Sequence, residues 1–190
     1  MLFRSRSAGI RFTNLLQAEA LLRRVLRCND LENDLHRAAK VRDALASVLR
    51  NIAGENATDV ERRISEAERL FEEAIEIATK AGSIERIGAA KYVHNLANLR
   101  LQQGRIDVSI LLLDRAEALI KSAPDFLRKE EDASEILSSV LLHGASRRYE
   151  RGKCNDRDQA INQLNEVLYI AHPGHIDKAR IVLANMLLDS

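Results

Sequence analysis

Tryptophan is absent from this chain, proline occurs only at Pro124 and Pro173, and cysteine only at Cys28 and Cys154. Eight glycines in 190 residues leave long stretches without a helix breaker, so long helices are favoured. Two widely separated cysteines make a poor disulfide framework, and a reducing cytoplasmic setting is expected. No apolar run approaches the ~18 residues that span a bilayer, which excludes a membrane helix, and no signal peptide is evident. Hydrophobic residues at 46% exclude an intrinsically disordered chain.

What the chain does have is leucine, alanine, arginine and glutamate in a 3.6-residue rhythm, with no strand-like alternation anywhere. The rhythm predicts eight helices: 13–28, 31–53, 57–81, 84–103, 106–122, 130–151, 156–171 and 175–189. Gly54, Gly82, Gly104 and Gly152 stand where helices should end, and Pro124 and Pro173 should stop two more. Asn29-Asp30 and Asn155-Asp156 supply the expected N-cap side chains. Residues 1–12 read as a disordered or non-native segment, because Leu2-Phe3-Arg4-Ser5 has the look of an adapter-encoded tail. The single domain is then expected over 13–190, as part of a longer array.

Two helix types alternate. The first carries Leu-Ala or Gly-Ala followed by a small polar residue: Leu45-Ala46-Ser47, Leu96-Ala97-Asn98, Gly144-Ala145-Ser146 and Leu183-Ala184-Asn185. The second carries a small residue with bulky apolar ones four, seven and eight positions later. It appears as Ala18, Leu22, Val25, Leu26; as Ala67, Phe71, Ala74, Ile75; and as Ala160, Leu164, Val167, Leu168. Ser109, Leu113, Ala116 follow the same rule until Glu117 departs from it. A small residue on each helix lets two backbones approach closely, which is the packing logic of an antiparallel hairpin.

Ala89 to Ile120, with Leu96-Ala97, Gly104, Ser109, Leu113 and Ala116 at signature spacings, resembles the tetratricopeptide repeat (TPR) family. It lacks the usual aromatic near Arg100, Ser109 replaces the common alanine, and the copies on either side carry insertions. The resemblance spans roughly residues 13–190. It implies a right-handed α-solenoid of antiparallel hairpins that serves as a protein-interaction scaffold. Arg147 to Asp189 is similar to the repeats that precede CHAT-type (caspase-like) protease domains, on the strength of Tyr149 to Gly152 and Pro173 to Arg180. That likeness implies a sensor or regulatory array, and it carries over no catalytic residue.

The candidate chemistry is sparse. His172 and His175 flank Pro173-Gly174 and read as a helix-to-helix turn, since nothing supplies a third metal ligand. Cys154 lacks an activating partner, and Cys28 sits in a similar boundary. Glu72, Glu73 and Glu76 read as a solvated face beside Arg69 and Lys80. No phosphate loop or nucleophile constellation is present, so no enzyme, cofactor or metal is expected.

The implied groove is lined by the first helix of each hairpin. It draws Lys91, His94, Asn95 and Asn98 from one helix, and Ser139, Leu142, His143, Ser146 and Tyr149 from the next. Lys178, Val182 and Asn185 come from the last. A peptide or protein ligand is the expected partner, with self-association possible through apolar ends. The alternative is a nucleic-acid partner on the basic first helix, at Arg23, Arg24 and Arg27.

Overall fold

The computed structural model describes residues 2–28, 31, 33–52, 57–82, 85–170 and 172–188, with side chains described from residue 12 onward. It is all-α, and no strand occurs among the described residues. The expected caps at Asn29-Asp30 and the terminator Gly54 lie outside the described residues. The chain divides into two compact units, Met1–Ala81 and Gly82–Ser190, where the sequence suggested one array.

The first unit holds α1 (Leu2–Leu26), α2 (Leu35–Asn51) and α3 (Ala57–Lys80). The first helix begins at Leu2, ahead of the start at residue 13 that the periodicity suggests. The second begins at Leu35, later than expected, because Asp34 is its N-cap and accepts the Arg37 amide at 2.9 Å. The α3 stripe Ala67, Phe71, Ala74 and Ile75 is buried in full, opposite Ala38, Ala39, Leu45, Ala46 and Leu49 of α2. Glu19 and Arg23 of α1 reach Arg63 and Glu66 of α3, at separations of 44 and 43 residues. One second-type helix thus stacks beside the next, in parallel.

The second unit holds α4 (Arg86–Gln102), α5 (Ile106–Lys121), α6 (Asp125–Arg128), α7 (Glu131–Arg151), α8 (Asp156–Ile170) and α9 (Pro173–Leu188). The short α6 after Pro124 had no periodic signal in four residues. Pro173 opens α9 instead of stopping a helix, which suits its fixed φ and missing N–H at a first helical position. Antiparallel pairing of α7 and α8 is visible in the contact ladder: Arg148 meets Gln159, and Gln163 lies beside Gly144 and Arg148. Second-type helices again stack in parallel, with Gln163 on Glu117 and Lys121 on Glu166. First-type helices do the same, with His94 of α4 on His143 of α7. Two layers result within this unit: α4, α7 and α9 in one, α5 and α8 in the other.

The small residues sit where helices touch. Ala97, Ala145, Ala160 and Ala116 are fully buried, as is Ser109 to within 1%. At Gly144 an added Cβ would lie 3.0 Å from Gln163 Oε1 and 3.2 Å from Arg148 Nη1, so a larger residue there would press on both side chains. The α7–α8 turn closes through Gly152 at φ +65 and Asn155 at φ 69, both left-handed. Asp156, expected as a cap, instead takes a fork from Arg151 and the Lys153 amide.

Candidate functional site

Three helices of the first layer present the residues singled out for the groove, and each side chain has a definite fate. Lys91 of α4 and Lys178 and Asn185 of α9 are exposed, and neither lysine has an ion-pair or hydrogen-bond partner among the described residues. Tyr149, at the end of α7, is 36% exposed. His94, Asn95, Asn98, His143 and Ser146 are half-buried. Ser146 Oγ donates back to the Leu142 carbonyl at 2.9 Å, so its hydroxyl proton is already used. Leu142 does not belong to the groove. It is 5% exposed and packs in a core cluster with Leu141, Leu164, Val167 and Met186, against which Val182 also lies. One step along a helix turns a side chain by about 100°, so Leu142 and His143 cannot both face the same way.

His94 and His143 are joined by a contact of 2.7 Å between Nε2 and Nδ1, with ring centroids 4.9 Å apart. Asn98 Nδ2 lies 3.3 Å from the same His94 nitrogen. The short ring–ring contact takes one proton between the two nitrogens, so one imidazole donates and the other accepts. Burial, helped by the nearby charges of Arg147, His175 and Lys178, pushes the His143 imidazole down to about 4. His143 is therefore neutral at physiological pH.

The turn reading of His172 and His175 holds geometrically: the His175 amide donates to the His172 carbonyl at 3.0 Å. Their rings are 5.4 Å apart, and the Nδ1 of each is buried without a hydrogen-bond partner among the described residues. Among the described residues no group of three His, Cys, Asp or Glu is arranged to hold a metal ion. What the sequence did not reveal is that His175 lies close enough to His143 to depress its protonation. A spacing of 32 residues between them leaves no periodic signal.

Elsewhere several charged groups bind one another. Arg23 forms a fork with Glu66 at 2.6 and 2.8 Å and also holds Glu19. Glu73 is held by Arg42 and Arg69, and Glu76 by Lys80. Cys28 and Cys154 are exposed free thiols, bonded only weakly to the Arg24 carbonyl and Asn155. An open groove of about 550 Å³ runs between α5, α7 and α8. Arg148 at its floor, 5% exposed, binds Asp114, Gln159 and Gln163. Lys121 above it binds Glu117 and Glu166. These polar groups satisfy one another and describe a structural network.

No protein-family model and no curated protein matches the chain. No described helix is long and apolar enough to cross a membrane.

Proposed function

We propose that this chain is a non-catalytic, TPR-like interaction scaffold that holds a peptide or protein segment along the face of α4, α7 and α9. One observation carries the reading: this face keeps two buried imidazole nitrogens, at His172 and His175, without partners among the described residues, whereas Arg148 in the α5–α7–α8 groove binds Asp114, Gln159 and Gln163. Among the described residues, Lys91, Lys178 and the buried Nδ1 atoms of His172 and His175 have hydrogen-bonding capacity to spare. Half-buried amides at Asn95 and Asn98 stand beside them, which suits recognition of an extended backbone. The narrower form of the proposal, drawn from Tyr149 to Gly152 and Pro173 to Arg180, is a regulatory array beside a caspase-like effector.

Peptide-library selection against the purified chain tests the reading. Selected peptides should lose about tenfold in affinity on Lys91→Ala or Asn98→Ala, a change of about 1.4 kcal/mol, with the helical circular dichroism unchanged. Peptides that bind equally well to both variants would contradict it.

A further inference from the structure

In the α2–α3, α4–α5 and α7–α8 hairpins a first-type helix meets a second-type helix through a pair of small residues. Ala46 and Ala67, and likewise Ala145 and Ala160, are completely buried, and Ala97 and Ser109 are buried to within 1%. Two faces depart from this rule. Ala184, the matching alanine of α9, is exposed, and Ile181, Leu187 and Leu188 around it are 61%, 58% and 82% exposed. On α1 the stripe Ala18, Leu22, Val25 and Leu26 is only half-buried, with Leu16 and Leu21 beside it at 38% and 62% exposure. The α9 face is of the first type and the α1 face of the second, so each is the kind of surface that the other packs against in a hairpin.

The α2–α3 and α7–α8 hairpins share a register, which fixes what a further pair would bring together. Arg42, four residues before Ala46, meets Glu73, six after Ala67. Gly144, one before Ala145, faces Gln163, three after Ala160. Arg148, three after Ala145, bonds both Gln163 and Gln159, one before Ala160. Applied to Ala184 and Ala18, this register sets Leu188 against Leu16, Leu187 beside Leu21, and Asp177 against Arg27. Asp177 and Arg27 are both exposed and of opposite charge. The same register sets Arg180 against Arg24, where α2–α3 has the Arg42–Glu73 pair.

We infer that α9 of one copy takes α1 of a second copy as its antiparallel second-type neighbour, so that the chain associates with itself head to tail. This goes beyond the peptide reading and does not depend on it. The occupant is specified from both sides: small residue opposite small residue, leucine opposite leucine, and Asp177 opposite Arg27. Because the two surfaces differ, the contact is heterologous, and it adds copies in a line or closes them in a ring. The Arg24–Arg180 meeting opposes the contact and keeps it weak.

Sedimentation over a hundredfold range of concentration tests this on the intact chain. The mean mass should rise with concentration. Leu188→Glu on α9 and Leu21→Glu on α1 should each weaken association by about tenfold or more, because each buries an unpaired charge. Both sites are exposed, so helical circular dichroism should not change. Mixing the two variants should give a one-to-one dimer that grows no further, since one supplies an intact α9 and the other an intact α1. Arg24→Glu should tighten association several-fold by restoring the pairing seen at Arg42 and Glu73. A monomer at every concentration would overturn the inference. So would association that only Leu188→Glu disturbs, which would mean α9 pairing with α9, or association that neither variant disturbs. Weakening by Arg24→Glu would refute the register.

Discussion

Arg148 and His143 lie five residues apart on α7, and the polar clusters built around them are opposites. Arg148 is almost wholly buried, always charged, and surrounded by Asp114, Gln159 and Gln163, with Gly144 making room for them. His143 is also largely buried, but it carries no charge at neutral pH and leans on a second imidazole. Its neighbours His172 and His175 each hold an Nδ1 that bonds to nothing among the described residues. Burying polar groups is costly unless they are paired. A saturated cluster is explained by the fold, whereas an unsaturated one needs something outside the fold. That contrast separates structure from site in a molecule whose surface is charged throughout.

The contrast can be broken on its packing side first. Leu142 was a groove candidate by sequence and is a core residue in the structure. Leu142→Ala should therefore cost about 3 kcal/mol of stability, read by urea denaturation, whereas Asn98→Ala should cost well under 1 kcal/mol on the same scale, about the range of a surface change. Arg148→Ala comes next, at about 2–3 kcal/mol, because charge-assisted bonds are lost and the facing amides are left without their donor. Arg148→Lys should recover only part of it, since an ammonium cannot reach three acceptors in a planar fork.

The pH response of His143 sharpens the other side. Its folded value of about 4 lies below the ordinary 6.5, so neutral His143 favours the fold. The contribution is fully present above pH 6.5 and is lost as pH falls toward 4. Its size is on the order of 2 kcal/mol after allowing for partial solvent access. His143→Gln should flatten that part of the stability-versus-pH curve, as measured by thermal melts across the window. Among the buried positions the smallest effect belongs to Gly144→Ala. The new methyl would press on Gln163 and Arg148, which must give by tenths of an ångström, at a cost of about 1 kcal/mol.

Much of the fold was legible. Ala46, Ala97 and Ala145 were read as close-contact residues, and all three are completely buried. Gly82, Gly104 and Gly152 were read as helix ends, and all three have positive φ. Ala184 shows the limit of such reading: it matches the same pattern but is exposed on α9, beside Ile181 and Leu188 at 61% and 82% exposure. A motif records what a helix offers, and burial also needs a neighbour. Arg148 was missed for a related reason. Arginine reads as surface in any periodic scheme, and only the closeness of α7 to α8 and Asp114 makes it interior. The candidate groove was legible as a set of helices but not as chemistry. His94 and His143 are 49 residues apart, and only the parallel stacking of α4 on α7 brings their nitrogens together.

The most direct measurement is a histidine-resolved ¹H–¹⁵N imidazole titration of the chain. The account predicts that His143 stays neutral until pH approaches 4. A His143 that titrates near 6.5 would contradict it.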